Sequence, residues 1–218
     1  MKKRLLTIAF LMLSLIFVEA EPIRVLFLGH PAKHHNSNEY YPMLAKALGR
    51  DAIYFDYTVS VEEALGDAEY LGKFDVLLLY ANHGTIQPHQ WKNLKNYVEN
   101  GGGFVPVHCA SWCFGNEPDF DKLVGGRFKS HQGAEFAAKI VKPDHPAMKD
   151  VKQFAAWDET YFHNNHNTEN RTVLMVREAM PGDPHTEPEP WTWVRTQGKG
   201  RVFYTASGHG LPIQYDPS

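Results

Sequence analysis

The chain has 218 residues, of which 43% are hydrophobic and 22% are charged, and this is the composition of an ordinary globular protein. A single domain of this length buries roughly 70% of its unfolded surface and needs no disulfide framework. Lys and Arg number 22 against 25 Asp and Glu, for a net charge of −3. This balance, without a basic stripe, excludes nucleic acid as the expected partner and favours a small neutral ligand.

Residues 1–20 predict a secretory signal peptide. Basic residues at positions 2–4 precede an apolar run over residues 5–18, and small residues suited to cleavage end at Ala20. The run is shorter than the ~20 apolar residues that a membrane-spanning helix needs. We therefore expect cleavage after Ala20, export to the periplasm or the extracellular space, and no stable membrane span thereafter. An uncleaved membrane anchor is the alternative interpretation.

The first half of the chain predicts alternating strands and helices. Strands are predicted for residues 23–29, 53–59, 74–80 and 103–109. Apolar residues at helical spacing predict helices over residues 37–49 and 88–100. The first helix closes at Gly49, and the second begins at Pro88. This alternation indicates parallel βαβ units around a central sheet.

The second half contains short strands with few helices between them. These strands are predicted for residues 135–141, 154–162, 172–177, 191–195 and 201–206. They are expected to extend the sheet with antiparallel members. Residues 178–190 hold four prolines and several charges and predict an exposed loop. No final covering helix is predicted in residues 211–218, and residues 21–218 are interpreted as one domain.

The strand over residues 103–109 ends on two reactive side chains, His108 and Cys109. Ligands of open α/β sheets bind just outside the carboxyl ends of the strands, so this end is a candidate site. Adjacent strand residues face opposite ways, and a His108 that points into the cleft leaves Cys109 in the core. If Cys109 and Cys113 share a helix, their Cβ atoms lie ~5–6 Å apart. A disulfide needs ~3.5–4.5 Å, so no bridge is expected.

Six short motifs follow one another along most of the chain. They are Gly101–Val105 leading to His108, Leu123–Phe128 with His131, Asp144–Pro146, Asp158–Tyr161, Gly200–Thr205 and Gly208-His209. In this order they resemble the ThuA-like (trehalose utilisation) family. The resemblance implies an α/β flavodoxin-like fold of the class I glutamine amidotransferase-like superfamily, a three-layer sandwich. Its central sheet would be mostly parallel, with added antiparallel strands.

The resemblance also implies a role in sugar catabolism, on trehalose-like or 3-keto glycosides. His108 occupies the place of the catalytic cysteine in the nucleophile elbow of class I glutamine amidotransferases. The residues predicted to be catalytic are His108, Glu159, Tyr161 and His131. Histidine changes charge closest to neutral pH, which suits it to acid–base chemistry. Alternate residues of a strand share a face, so Glu159 and Tyr161 are expected to face the site together.

Residues predicted to bind substrate are His35, Asp158, His209 and Trp112. His35 follows the first strand and His209 follows the last, whereas Asp158 faces away from Glu159 and is expected to support a loop. Candidate platforms for a sugar ring are Trp112, Trp157, Trp191 and Trp193, although such residues more often belong to the core. His163 and His166 fall in a polar stretch and are expected to be solvated.

His35, His131 and His209 are candidate ligands of a divalent metal. Imidazole and carboxylate groups suit zinc, nickel or iron. No local motif such as HExxH is present, so the ligands would have to converge from distant segments. A histidine-rich pocket that binds a sugar by hydrogen bonds alone is the alternative. No nucleotide cofactor is expected.

These features favour an exported enzyme that hydrolyses or eliminates across an oxidised (3-keto) glycoside such as a trehalose derivative. The ketone makes the C2 proton removable by a histidine or by Glu159, and Tyr161 or a metal would stabilise the enolate. A non-catalytic carbohydrate- or partner-binding module is the alternative, because His108 replaces the nucleophile. A third hypothesis is a glutamine amidotransferase that uses Cys109. The sequence leaves the oligomeric state open.

Overall fold

The computed structural model describes residues 21–210. The predicted signal peptide and residues 211–218 lie outside this part of the chain. The α-helices are α1 (Ser37–Leu48), α2 (Val61–Leu65), α3 (Ala68–Leu71), α4 (Pro88–Glu99) and α5 (Pro118–Val124). Short 3-10 helices cover Gly49–Asp51, His108–Trp112 and Pro146–Met148. Within residues 21–210, no helix has the length and apolar character that a bilayer crossing requires.

The strands form one large sheet and two small ribbons. They are β1 (Ile23–Gly29), β2 (Ile53–Thr58), β3 (Val76–Tyr80), β4 (Gly103–Pro106), β5 (Arg127–Ser130), β6 (Gly133–Ala137), β7 (Lys139–Ile140), β8 (Ala155–Glu159), β9 (Phe162–Asn164), β10 (Arg171–Arg177), β11 (Glu189–Gln197) and β12 (Gly200–Thr205). The eight-stranded sheet has the order β2-β1-β3-β4-β12-β11-β10-β7. β5 pairs with β9, and β6 pairs with β8, each as a separate antiparallel ribbon.

The strand directions confirm the predicted mixed sheet. β2, β1, β3, β4 and β12 run parallel to one another. β11, β10 and β7 continue the sheet with antiparallel pairings. The carboxyl ends of β1, β3, β4 and β12 therefore lie along the same edge, which is where an α/β protein places its ligands.

Alternation along β1 divides the core into two faces. Leu26 and Leu28 belong to the larger cluster, with residues of α2 to α5 such as Leu94. Phe27 points the other way and packs with Tyr40 of α1. Because successive strand residues face opposite sides, the sheet is covered by helices on both faces. This is the three-layer α/β arrangement expected from the sequence.

Several predicted strands of the second half are shorter than expected. The predicted strand 135–141 is divided between β6 and β7, and the predicted strand 154–162 is divided between β8 and β9, each pair in different sheets. The predicted loop 178–190 also ends early, because Glu189 lies buried at the start of β11. A run of strand-forming residues predicts extended backbone. It does not show where, within the run, the backbone stops pairing with one strand and begins pairing with another.

Candidate metal centre

The candidate metal centre combines the edge of the main sheet with one ribbon. His35 lies between β1 and α1, His108 follows β4, and His209 follows β12. Because these strands are parallel and end at one edge, their following segments meet there. Glu159, the last residue of β8, reaches the same place from the β6–β8 ribbon.

Three imidazole nitrogens and one carboxylate oxygen converge in this cluster, all within 4.8 Å of one another. His108 Nε2 lies 3.2 Å from Glu159 Oε2, and His209 Nδ1 lies 3.1 Å from Glu159 Oε1. His35 Nε2 lies 3.7 Å from Glu159 Oε2 and 3.2 Å from His209 Nδ1. The structure thus brings together residues from four distant segments that the sequence singled out.

His108 occupies a sharp backbone turn. The predicted strand 103–109 ends at Pro106, and His108 opens a 3-10 helix with a φ of +49°. This left-handed conformation is unfavourable for a residue with a Cβ atom, and it persists where the surroundings hold it. Ser111 Oγ and Tyr204 Oη both donate to the His108 carbonyl, each at 3.1 Å. The strand–turn–helix context is that of a nucleophile elbow, but it presents an imidazole.

The hydrogen bonds of His108 define which ring nitrogen is protonated. Nδ1 lies 2.6 Å from the carbonyl oxygen of Ala206, and a carbonyl only accepts, so Nδ1 carries the proton. In the neutral ring, Nε2 then carries no proton, and its lone pair faces Glu159 Oε2. Nε2 has no hydrogen-bond partner. Two acceptors in this position repel unless a proton or a metal cation lies between them. A metal relieves this repulsion without charging a fully buried imidazole.

The charges of the cluster also suit a cation. Burial alone would raise the pKa of Glu159, but a proton shared with the adjacent His108 and His35 rings outweighs burial and lowers that pKa. A metal cation in place of that proton would also keep the carboxylate ionised. Burial lowers the pKa of His209, although the Glu159 carboxylate opposes this shift. Ionised carboxylate and neutral imidazole are the forms in which these groups bind a metal.

Asp158 lies behind the cluster and holds the backbone that carries His209. Its carboxylate accepts from the backbone N–H groups of Gly208 at 3.1 Å, His209 at 3.3 Å and Glu159 at 2.8 Å. Burial raises the pKa of Asp158, while the nearby His108 and these N–H groups oppose the rise. Tyr40 Oη adds a hydrogen bond to the His209 carbonyl at 3.2 Å. Loop support by Asp158 is therefore observed, and its contact with substrate stays a prediction.

Tyr161 and His131 flank the cluster. The Tyr161 ring stacks on His108 with ring centroids 4.2 Å apart. Burial raises the pKa of Tyr161 well above its usual value, so its hydroxyl stays protonated. His131 lies at the rim with its side chain 41% exposed and its Nε2 3.5 Å from Glu159 Oε1. The tight group contains His108 and Glu159 together with the predicted ligands His35 and His209, and it does not contain the predicted ligand His131.

The candidate aromatic platforms differ in burial. Trp191 and Trp193 are fully buried, whereas Trp112 is 42% exposed and Trp157 is 57% exposed. The Trp157 ring lies 5.9 Å from the His209 ring, measured between centroids. Trp112 ends the 3-10 helix that His108 begins, and its carbonyl accepts from Arg127 at 2.9 Å.

A buried network behind His108 was missed by the sequence analysis. The prediction that His163 is solvated is wrong, because His163 lies buried in β9. His163 Nδ1 is 2.8 Å from Glu189 Oε1, and His163 Nε2 is 2.9 Å from Tyr204 Oη. Tyr204 in turn donates to the His108 carbonyl, so polar contacts connect Glu189 to the cluster. The polar residues after His163 made the segment look like a loop rather than a short strand. The burial of His163 is evident only from its contacts with residues of β11 and β12.

Cys109 is not placed to act as a nucleophile. Cys109 and Cys113 are both free and fully buried, which confirms that they form no disulfide. Burial raises the pKa of the Cys109 thiol well above its usual value and that of Cys113 to about 12. A nucleophilic cysteine acts as an accessible thiolate, and burial disfavours that form at Cys109.

Solved structures with the same fold include two ThuA-like proteins. One, from Bacteroides uniformis, is 20% identical with a TM-score of 0.73, over 91% of this chain and 87% of that chain. The other, from Parabacteroides merdae, is 20% identical with a TM-score of 0.72, over 88% of this chain and 81% of that chain. A β-galactosidase from Rahnella sp. R3 is 16% identical with a TM-score of 0.57, over 89% of this chain and 30% of that chain. These likenesses establish the fold.

The family assignment comes from the amino-acid sequence. No curated protein matched the chain at a significant level. A family model named ThuA and described as trehalose utilisation matches residues 24–218, which is nearly the whole chain. The match includes every residue of the cluster at the sheet edge. The chain therefore belongs to the ThuA (trehalose utilisation) family.

Proposed function

We propose that this protein is an exported, metal-dependent enzyme that eliminates or hydrolyses across an oxidised (3-keto) glycoside. The observation that carries the proposal is the convergence of His35, His108, His209 and Glu159 within 4.8 Å at the ligand-binding edge of the sheet. The family description, trehalose utilisation, supports a sugar as the substrate. The basic start and apolar run of residues 1–20 support export.

The three imidazole nitrogens and one carboxylate oxygen of the cluster suit a divalent metal such as zinc, nickel or iron. These metals accept both kinds of ligand. His108 also has the outer contact typical of a metal-binding histidine, because its Nδ1–H donates to the Ala206 carbonyl. Its buried Nε2 has no hydrogen-bond partner and is available as a ligand. We assign the metal to these four residues. When bound, a divalent cation supplies Lewis-acid polarisation of a substrate carbonyl oxygen.

His131 is our candidate for the base. A ketone at C3 of the sugar acidifies the neighbouring C2 proton, and His131 Nε2 lies at the accessible rim where it can take that proton. The C2 electron pair then forms a C1=C2 double bond as the C1–O bond to the second sugar breaks. The departing oxygen takes up a proton from the protonated His131 or from solvent. Later addition of water across the C1=C2 bond, with the hydroxyl at C1 and the proton at C2, would complete a net hydrolysis.

Glu159 and Tyr161 are less suited to proton removal. The lowered pKa of Glu159 makes its carboxylate a weak base, which favours its role as a ligand. The Tyr161 hydroxyl remains protonated because burial raises its pKa well above the usual value. The Tyr161 ring stacks on His108, and we assign its protonated hydroxyl as the hydrogen-bond donor to the enolate oxygen that forms at C3.

The test is turnover of 3-keto-trehalose by the purified protein, followed as glucose release. The assay is run after chelation and again after addition of zinc, nickel or iron(II). We expect metal-dependent release, and we expect His108→Ala to weaken metal affinity by more than about 100-fold, since loss of an outer-shell partner alone costs about 10–100-fold. The control is His89→Ala, which removes an exposed histidine paired with Glu62.

Two results would count against this proposal. Failure to turn over 3-keto-trehalose and a 3-keto-glucoside under every metal condition would overturn the enzymatic activity. Sugar binding that persists unchanged in His108→Ala and His131→Ala, without turnover, would favour the non-catalytic binding module. Glutamine hydrolysis by Cys109 is disfavoured because that thiol is buried and its pKa is raised.

A further inference from the structure

Trp157 leaves a large apolar surface exposed beside the cluster. The residue is 57% exposed, and its ring centroid lies 5.9 Å from that of His209. Tryptophan side chains normally bury about 150–250 Å² of surface. Apolar surface left in water forgoes the favourable free energy of burial. An indole in this position therefore favours a ligand that covers it.

The ribbon beneath the indole fixes its position. In the β6–β8 register Trp157 faces Glu135, and Glu159 faces Gly133. Because alternate strand residues share a face, Trp157 and Glu159 lie on the same side of the ribbon. A Cβ atom at Gly133 would lie 2.5 Å from Cζ2 of Trp157, so the indole lies directly over the Gly133 backbone. Glycine at this position allows the ring to lie flat next to the cluster.

The surroundings of the indole match the chemistry of a sugar ring. A pyranose has an apolar face of C–H groups and a rim of hydroxyls. Stacking would cover the indole, while the rim hydroxyls would reach the polar groups around His209. Ligand sites combine aromatic walls with a few converging polar groups in this way. Glu135, which lies opposite Trp157 on the same side of the ribbon, disfavours an anionic ligand.

We infer that Trp157, held over Gly133, forms a stacking subsite for the pyranose ring of a neutral sugar. The inference rests on the proposed function for the class of ligand, and it adds the residues that bind that ligand. It assigns the sugar platform to Trp157, where the sequence analysis had favoured Trp112. The subsite lies next to His209, so a stacked ring has its edge toward the cluster.

The test is calorimetric titration with trehalose, which lacks the C3 ketone and so reports binding without turnover. We expect Trp157→Ala to weaken trehalose binding by at least about tenfold, as loss of an aromatic anchor does at a binding site. Trp157→Phe should recover part of the affinity. Gly133→Ala should weaken binding although it keeps the indole, because the new Cβ displaces the ring. Tyr54→Ala, at an equally exposed aromatic residue on β2, is the control.

Metal content is measured on every variant and is expected to stay unchanged. Trehalose binding unaltered by Trp157→Ala would overturn the subsite, as would a lack of trehalose binding by the unaltered protein. Loss of binding in Trp112→Ala but not in Trp157→Ala would overturn it in favour of Trp112. Failure of the proposed function is judged separately, by metal affinity and by turnover of 3-keto-trehalose.

Discussion

The orientation of the His108 ring depends on groups on the side away from the cluster. The Ala206 carbonyl holds Nδ1, and the hydroxyls of Ser111 and Tyr204 hold the backbone carbonyl in its left-handed turn. Each of these bonds limits the direction of Nε2. A change behind His108 is therefore expected to alter metal affinity as well as folding.

Tyr204→Phe tests this dependence. The substitution removes a buried hydroxyl that contacts the His108 carbonyl, Ser111 Oγ and His163 Nε2. We expect the free energy of unfolding to fall by about 1–3 kcal/mol, because buried polar partners lose their hydrogen bonds. Zinc affinity is expected to fall about tenfold, as for loss of an outer-shell contact. Urea denaturation and zinc titration measure the two effects.

The control for Tyr204→Phe is Tyr54→Phe, which removes a hydroxyl from an exposed tyrosine. We expect this change to leave stability and zinc affinity near those of the unaltered protein. If Tyr204→Phe lowers stability while zinc affinity stays the same, the network supports folding only. That result would contradict the link to the cluster.

The same residues show how far sequence reasoning reaches. His108 and His209 could be identified because each follows an apolar run whose end is visible in the sequence. The contact between His163 and Glu189 could not, because the two residues are 26 positions apart and meet only when β9 and β11 are placed. The tight group includes His108 and not His131 because of where the two rings lie in the folded protein, and no sequence pattern encodes this.

At the scale of secondary-structure elements, the end of α5 is constrained both by its backbone conformation and by a neighbouring side chain. Gly125 closes this helix with a φ of +102°, a conformation that side chains with a Cβ atom rarely adopt. An added Cβ would also lie 2.7 Å from Trp193 Nε1, which donates to the Val124 carbonyl. The helix end and the buried indole are therefore fitted to each other.

We expect Gly125→Ala to lower the free energy of unfolding by about 1–3 kcal/mol, the usual cost of a strained backbone conformation. The matched control is Gly49→Ala at the end of α1, where φ is −60° and no atom lies within 4 Å of the added Cβ. That change should be neutral or slightly stabilising. Urea denaturation of both variants provides the comparison, and equal losses would refute the conformational explanation.

The elements of the first half were more predictable than those of the second. α1 and α4 were predictable from Gly49 at the end of one and Pro88 at the start of the other. β6 and β7 were predicted as one strand because no turn residue separates them, although they pair with different strands. Pairing is decided by contacts distant in sequence, and local pattern does not report it.

For the molecule as a whole, buried histidines make stability depend on pH. Burial lowers the pKa of the buried His163 and of the half-buried His83 below the ordinary value of 6.5. In the unfolded chain these rings take up protons near pH 6.5, whereas the folded protein resists protonation until lower pH. The unfolded state therefore binds more protons in that interval, and stability falls as the pH falls below 6.5.

We expect the free energy of unfolding, measured with a chelator present, to be nearly constant above about pH 7.5 and to decrease toward pH 5. Each proton of difference contributes a slope of about 1.4 kcal/mol per pH unit. His163→Gln should flatten the slope, while His89→Gln, at an exposed position, should retain it. Urea denaturation across this pH range measures the slopes, and greater stability at pH 5 than at pH 7.5 would contradict the prediction.

The cluster is divided between the main sheet and the β6–β8 ribbon, and this division bears on how the site could vary among related sequences. The strands that position His35, His108 and His209 also build the core. Substitutions in those strands would therefore disturb the fold. Trp157 and Glu135 stand on a separate pair of strands, outside the eight-stranded sheet. Under the proposed function, substitutions at Trp157 and Glu135 would change which sugars bind, whereas Glu159 at the end of the same ribbon would have to be retained for the cluster.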